Sequence, residues 1–369
     1  MLNFLRNSTE EFAGYLVIEV GLVGFGLAGK SFHAPVISAV PGLQLSAIVQ
    51  RTGDEAAKLY PDAKIVHSLD ELLAISTIRL VVIATPNQTH FAFAAKCLQA
   101  GRDVVVDKPF TTTLAEAREL YQIAKKHGRI LTVYHNRRFD ADFHAVRSVL
   151  ASGELGRVIR FESFYDRFRP TAKPGAWREK PEPGSGVLFD LAPHLIDQAL
   201  TLFGTPASLC ADIRTEREGL VTDDAFDLFL RYKGALRVQL SATMLAATTR
   251  PRLRIFGTRG SLVKMDFDPL EPTLRAGPIP PGASWALEKE ENLAELTVVD
   301  NGESVSRKVP SAGDWRDFYV NVRDVLLKKA ELVVTPTQVL NVMLGLELAL
   351  ESSKQQKPVA WTQLTFSGV

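Results

Sequence analysis

A glycine triplet constrains this chain more than any other feature. Gly24, Gly26 and Gly29 stand in G-x-G-x-x-G spacing directly after the apolar run Tyr15 to Val23. In that context each glycine has a separate task. The first lets a strand turn tightly, the second lets a pyrophosphate approach the backbone across Phe25, and the third lets helix and strand pack closely. The helix that follows offers free N–H groups and a partial positive charge to the same pyrophosphate. A nucleotide-binding βαβ unit near the start of the chain is therefore expected.

At 369 residues the chain is long enough for two domains. Lys and Arg total 43 against 42 for Asp and Glu, a net charge of +1, so no global charge draws the protein to nucleic acid or to a membrane surface. Cys97 and Cys210 are the only cysteines. They point to two reduced thiols rather than to a disulfide framework or a thiolate metal site. The first fourteen residues mix Arg6 with Glu10 and Glu11 and lack the apolar core of a secretion signal. No stretch is long and apolar enough for a membrane span, so the cytoplasm is the expected location.

From 15 to 134 strand and helix alternate. Strands are expected over Leu16–Val23, Leu43–Val49, Leu80–Ala84, Asp103–Val106 and Ile130–Tyr134, with helices over Phe91–Ala100 and Leu114–Lys126. That alternation predicts an α/β Rossmann domain, a doubly wound parallel sheet. After a helix near Phe143–Leu150 the pattern changes to strands at Val158–Phe164, Ser208–Arg214, Ala225–Arg231, Ala235–Met244 and Arg252–Gly257. In the fourth, Leu236, Val238 and Leu240 alternate with Arg237, Gln239 and Ser241, as expected of a mostly antiparallel sheet with one covered face. A Pro- and Gly-rich loop is expected over Phe267–Ala286, and helices over Asp314–Leu327 and Val339–Glu351, the last started by Thr335-Pro336. The boundary falls near 135: a dinucleotide-binding domain over 15–134, then an α+β domain over 135–369 for substrate binding and oligomerisation.

Strand two ends Ala47-Ile48-Val49-Gln50-Arg51-Thr52, with no acid before Asp54. An NAD site usually places Asp or Glu there for the adenosine ribose hydroxyls. Arg51, assisted by Thr52, can instead pair with a 2′-phosphate, which favours NADP(H) and leaves NAD(H) open; Arg51 can equally be a solvated surface residue. Thr85-Pro86-Asn87 lies just past a strand end, the edge where open sheets bind ligands. Pro86 stiffens that turn, and Thr85 and Asn87 can reach cofactor ribose or phosphates. His90 is counted with these cofactor-binding residues, and is expected to cap or brace the turn rather than to act on substrate.

Lys108 follows another strand end and precedes Pro109, which disfavours helical backbone at Lys108 and holds it extended. A lysine there can reach between a nicotinamide ribose and a substrate hydroxyl, or merely flank a turn. In the run Gly184 to Asp197, helical spacing places Asp190 and His194 four apart on one face, with Asp197 on much the same face. A histidine can take a hydroxyl proton as hydride leaves the same carbon, and a nearby carboxylate can bond substrate hydroxyls, orient the ring or raise its basicity. The alternatives are a core histidine satisfied by its neighbours and, less well supported, a metal site; hydride transfer requires no metal.

The sequence resembles the Gfo/Idh/MocA oxidoreductases, the family of glucose-fructose oxidoreductase and inositol dehydrogenase, over nearly its whole length. The glycine loop, Thr85-Pro86-Asn87-Gln88-Thr89-His90, Asp107-Lys108-Pro109 and Asp190 to His194 occur in the family's order. The resemblance implies that Lys108, matching the lysine of a Glu-Lys-Pro motif, binds substrate and acts in catalysis. It also implies that Asp190 and His194 contact substrate, with His194 as acid/base. Asp107 stands where glutamate is usual, and stays outside the catalytic set. Tyr134 to Asp140 and Ala176-Trp177-Arg178-Glu179-Lys180 resemble a narrower branch that includes NADP-dependent scyllo-inositol dehydrogenase. That resemblance places Trp177 and Arg178 near the cofactor, and Tyr165, Arg167 or Arg169 near the substrate.

These readings converge on an NAD(P)-dependent dehydrogenase of a polyol or sugar CH–OH group, working as a homodimer or homotetramer without nucleic-acid or membrane partners. Two rivals stay open. One is a dehydrogenase of another carbonyl compound, such as an unsaturated diol or a biliverdin-like ketone. The other is a dinucleotide-sensing protein without catalysis, against which the joint presence of Lys108 and His194 argues.

Overall fold

The structure, a computed structural model, describes residues 17–172, 179–248, 250–277, 279, 285 and 288–362. Its first sheet is made of β1 (Ile18–Val23), β2 (Leu43–Val49), β3 (Lys64–Val66), β4 (Leu80–Ile83), β5 (Asp103–Val106) and β6 (Leu131–Val133). All pair parallel, in the order β3-β2-β1-β4-β5-β6. β4 and β5 are buried at every position, because helices cover both faces; hence they read in sequence as unbroken apolar runs. Helices α1 (Ala34–Ser38), α2 (Glu55–Leu59), α3 (Leu69–Leu73), α4 (His90–Gln99) and α5 (Leu114–Lys126) connect the strands. The strand order reverses between β1 and β4, and the crevice at their carboxyl ends is where such sheets bind ligands.

The second sheet has nine strands: β7 (Val158–Phe164), β8 (Ser208–Arg214), β9 (Ala225–Arg231), β10 (Arg237–Thr243), β11 (Leu253–Gly257), β12 (Gly260–Lys264), β13 (Ala294–Asp300), β14 (Glu303–Val309) and β15 (Val359–Ala360). Their order is β14-β13-β12-β11-β7-β10-β9-β8-β15, antiparallel except for the parallel β7–β10 pair. The expected architecture of a parallel Rossmann sheet followed by a mixed, largely antiparallel sheet is thus observed. α6 (Ala141–Ser152) leads from the first sheet towards it. α7 (Gly186–Phe203) and α10 (Pro336–Gln355) pack on each other and on its strands, and α10 also reaches α5 and β6 of the first sheet. Thr335 starts α10 with a reciprocal capping box to Gln338.

Two expectations are corrected. The segment 267–286 is not loop throughout: α8 (Leu270–Ala276) lies inside it, with Pro269 at the N-cap and Pro272 in the first turn, where proline is compatible with a helix. The strands β12 to β14 extend the second sheet beyond the pattern read from sequence. β14 is exposed over its first five residues, so it carries no apolar alternation to detect. α9 (Arg316–Leu326) then turns the chain back to the first sheet, against α1.

Buried ion pairs lock these layers together. The Arg138 guanidinium, four-hundredths exposed, grips both carboxylate oxygens of Asp197 in α7, with Nε donating at 2.7 Å and Nη2 at 2.5 Å. Its Nη1 donates to the Val333 carbonyl and to Gln338, tying in the start of α10. Asp197, three residues beyond His194 on α7, is therefore engaged in this lock. Removing one member of a buried pair strands the other charge, at about 3–5 kcal/mol. Asp197→Ala is expected to lower unfolding free energy by about that amount in urea denaturation, while dinucleotide affinity measured below the transition stays close to wild type.

Candidate functional site

The glycine loop shows why each glycine is needed. Gly24 has φ +99°, and a Cβ there would lie 2.5 Å from the Ala84 carbonyl oxygen at the end of β4. A Cβ on Gly29 would lie 2.0 Å from the Gly24 carbonyl oxygen, so that position sets how closely helix and strand pack. A Cβ on Gly26 would meet nothing within 4 Å. Its open side faces a cleft of about 1130 Å³, lined by Gly24, Phe25 and Gly26 at one end and by His194 and Asp190 at the other. A volume of this size exceeds a usual small-molecule pocket and has room for a dinucleotide and a further small ligand.

The helix after the glycines begins as a wide turn, Gly29–His33, in which the Ala34 N–H bonds the Gly29 carbonyl five residues back. Pro35, next in line, has no N–H to give the regular helical ladder. The wide turn delivers the buried His33 beneath the cleft. His33 Nδ1 lies 2.6 Å from Tyr319 Oη, and its Nε2 is 3.7 Å from the Asp107 carboxylate.

At the end of β2, Arg51 and Thr52 are exposed and line the cleft wall, with Gln50 beside them. Gln50 is committed to the fold: its Oε1 accepts from the Ala56 N–H. Thr85, Pro86 and Asn87 line the cleft past β4. The Asn87 amide nitrogen donates to the Gly184 carbonyl at 2.6 Å, joining this turn to the approach of α7 and using one of its two N–H groups. His90 is placed elsewhere than expected for a cofactor contact. It is buried behind the turn, with Nδ1 2.8 Å from the Pro109 carbonyl and Nε2 2.9 Å from the Thr85 carbonyl, and it does not line the cleft. With both ring nitrogens facing backbone, it braces two loops. Trp177 and Arg178 lie outside the described residues.

Lys108 leaves β5 through a cis peptide bond to Pro109. Its Nζ donates to the Asp190 carbonyl oxygen at 2.7 Å and to the Asp190 carboxylate at 3.1 Å. Pro193, inside α7, lacks the N–H that the Phe189 carbonyl would receive and crowds that carbonyl, which loosens the helix beside Asp190. Asp107 turns back to accept the Lys108 backbone N–H at 2.8 Å. Burial works against its charge, yet His33, Lys108 and His90 together hold its carboxyl below the ordinary range.

His194 lies one turn beyond Asp190 on α7, and both line the cleft as the spacing predicts. Of the roles open to a nearby carboxylate, raising the ring's basicity is not the one observed. Burial first, and then the cations Lys108 and Arg137, hold His194 well below the ordinary imidazole range. The ring is neutral, and its Nδ1 is buried without a hydrogen-bond partner. Tyr165 Oη and Arg137 Nε, on two other residues lining the cleft, are likewise buried and unpartnered. Buried polar atoms without partners are rare in folded proteins. Three of them lie around this one end of the cleft. Arg167 and Arg169 line the same end.

Sequence reasoning left Arg137, Glu271, Arg275 and Trp315 out of the site, although all four line it. Arg137 stacks over Trp315, its guanidinium carbon 5.2 Å from the ring centroid, and pairs with Asp140 and Glu271. The run Tyr134 to Asp140 carried a signal for Arg137. Glu271 and Arg275 lie in the helix hidden by prolines, and Trp315 arrives from the last sixth of the chain. Among the described residues no group of three or more His, Cys, Asp or Glu side chains is placed to hold a metal ion, and no helix is long and apolar enough to cross a membrane.

Comparison with known proteins gives this architecture a family. Residues 18–135 match the oxidoreductase family with an NAD-binding Rossmann fold, and residues 143–263 match the GFO/IDH/MocA C-terminal domain. The chain belongs to the Gfo/Idh/MocA oxidoreductase family. It is an NAD(P)-dependent oxidoreductase acting on a CH–OH or carbonyl substrate. It is 43% identical over 340 residues to the uncharacterized oxidoreductase YdgJ of Escherichia coli (strain K12), covering 92% of this chain and 97% of that protein. It is 35% identical over 343 residues to the scyllo-inositol 2-dehydrogenase (NADP(+)) IolW of Bacillus subtilis (strain 168), covering 93% and 95%. The structure of the oxidoreductase yvaA from Bacillus subtilis superposes with a TM-score of 0.91 at 34% identity, over 95% of this chain and all of the other.

The open side of Gly26 gives a clean test of the cleft. Gly26→Ala is expected to keep the wild-type melting temperature, because its methyl meets no protein atom, while the dissociation constant for NADPH, followed by fluorescence, rises at least about tenfold, the cost of roughly 1.4 kcal/mol of lost approach.

Proposed function

We propose that the protein is an NADP(H)-dependent dehydrogenase of a polyhydroxylated substrate, a cyclitol or sugar, with Lys108, His194 and Asp190 as its catalytic residues. The observation that carries this reading is the meeting of Lys108 with Asp190 and His194 at one end of a dinucleotide-sized cleft, beside the unpartnered Tyr165 and Arg137 atoms. When bound, the dinucleotide accepts or returns a hydride at nicotinamide C4. In the oxidation direction the substrate C–H leaves as that hydride, the hydroxyl proton passes to the neutral His194, and a carbonyl forms. The Lys108 ammonium bonds the same oxygen and stabilises the charge that develops on it. Asp190 holds the ammonium in place and accepts from a neighbouring hydroxyl.

For the cofactor, Gly24, Phe25 and Gly26 would frame the pyrophosphate, with Gly29 setting the helix beside it, and Thr85, Pro86 and Asn87 would border the ribose. Arg51 and Thr52 receive the 2′-phosphate. Support for NADP(H) comes from the exposed guanidinium at the end of β2, from the lack of an acid among residues 50–52, and from the NADP(+) dependence in the name of the IolW relative. That relative also makes scyllo-inositol the first substrate to try.

Turnover against a panel of inositols and aldoses, each with NAD and with NADP, tests the whole reading. No turnover of any member, with cofactor bound, would sink it. Lys108→Ala is expected to lower kcat/KM on the best substrate by about 10²–10⁴ while the NADPH dissociation constant stays within about threefold of wild type. Arg51→Glu is expected to reverse the cofactor preference, with KM for NADP rising at least about tenfold against an unchanged KM for NAD; equal losses for both cofactors would remove Arg51 from the phosphate site.

A further inference from the structure

Beyond β7 the chain stays extended along β10. The N–H groups of Tyr165, Arg167 and Arg169 donate to the carbonyls of Ser241, Thr243 and Met244 at 2.9, 2.9 and 2.7 Å. Alternate residues of an extended segment face the same way, so this register turns Tyr165, Arg167 and Arg169 together into the cleft. Asp166 faces the other way, where Arg250 takes both its oxygens at 2.6 and 2.9 Å.

The charges at this end of the cleft do not balance. Lys108 uses Asp190, and Arg137 and Arg275 both use Glu271. Burial opposes the charge of Glu271, but Arg137, Arg275 and Arg167 hold its carboxyl down to about 2, so it is fully ionised and already shared. Glu179 is held by Arg217 at 3.2 Å. Among the described residues no hydrogen bond or ion pair engages the guanidinium of Arg167 or of Arg169. Partial burial and then the neighbouring Arg167 and Arg275 push the Arg169 guanidinium below its ordinary range, the direction expected where like charges crowd.

Two guanidiniums turned into the cleft, neither bonded to a carboxylate among the described residues, suit an anion. We propose that the substrate carries an anionic group, a carboxylate or a phosphate monoester, which Arg167 and Arg169 receive while its reacting carbinol lies against Lys108 and His194. The proposal rests on the dehydrogenase reading above and narrows its substrate class from neutral polyols to acidic ones. A guanidinium's planar fork matches both kinds of oxyanion, with paired, charge-assisted hydrogen bonds. The hydride and proton transfers are unchanged; the anion sets which molecule is held and in which orientation.

The test compares matched substrates: glucose with glucuronate and with glucose 6-phosphate, and myo-inositol with its monophosphate. For each, kcat/KM with NADP and the dissociation constant for the enzyme–NADPH complex by calorimetry are measured. At least one anionic member should exceed its neutral partner by tenfold or more, and the arm that does so distinguishes carboxylate from phosphate. In the double variant Arg167→Gln/Arg169→Gln that ratio should fall to near one, and Arg167→Lys/Arg169→Lys, which keeps the charge and the fold, should restore part of it. A neutral member that equals or exceeds its anionic partners in the wild type overturns the proposal and leaves the dehydrogenase reading standing. So does a ratio that survives the glutamine variant, or a tenfold loss of NADPH affinity in that variant, which would assign both arginines to the cofactor. If no member of either kind is bound or turned over by an enzyme that holds NADPH, the dehydrogenase reading falls and this inference with it.

Discussion

The bond between the Lys108 ammonium and Asp190 is the contact on which the rest of the site depends. Lys108 stands at the carboxyl end of a central strand of the first sheet, and Asp190 in the first half of the long helix that packs on the second. A single charged hydrogen-bond pair thus spans the two layers at the point where a ligand must touch both. The surrounding structure holds the two elements in place from behind. Arg138 clamps α7 through Asp197, Asn87 holds the approach to α7 at Gly184, and Glu347 of α10 accepts the Leu114 N–H at the start of α5. Preorganisation of this kind is what lets an ammonium act on a developing charge without first reorganising around it.

Electrostatics then divides the cleft. At the end beside β2 the cations are sparse and solvated, with Arg51 at the surface and Lys96 paired to Asp70 at the rim. At the other end cations crowd a partly enclosed wall, where charge interactions are screened less than in open water. There a neutral His194 is the only form the surroundings favour, because burial and neighbouring ammonium and guanidinium groups all oppose a second positive charge. The same surroundings favour negative charge on any molecule held there.

Much of this was legible in the residues. Asp103–Val106, Leu114–Lys126, Val158–Phe164, Ser208–Arg214 and Ala225–Arg231 coincide with the observed elements, because buried strands and amphipathic helices leave periodic apolar patterns in sequence. β12 to β14 did not show themselves: they lie towards one edge of the second sheet, and most of β14 faces solvent, so nothing selects for alternation. α8 was masked by Pro269 and Pro272, which read as loop until their places in the first turn are known. For the site, the glycine spacing and the Asp190–His194 pair were visible as local patterns. The contribution of Arg137 was not, since Trp315 and Glu271, which give it its setting, are more than a hundred residues away.

The sequence by itself determined what depends on near neighbours. A glycine at 29 is required because helix and strand meet there, Pro109 restrains the backbone of Lys108, and a four-residue step along a helix stacks Asp190 and His194. Only the tertiary structure decided what depends on partners brought from afar. It gave Asp197 a buried partner in Arg138, and it gave His90 the two backbone carbonyls, of Pro109 and Thr85, between which it braces two loops. It also surrounded His194 with cations rather than carboxylates. Spacing along a chain reports which face a side chain is on, but charge and hydrogen bonding act through space, and those distances exist only once the layers have packed.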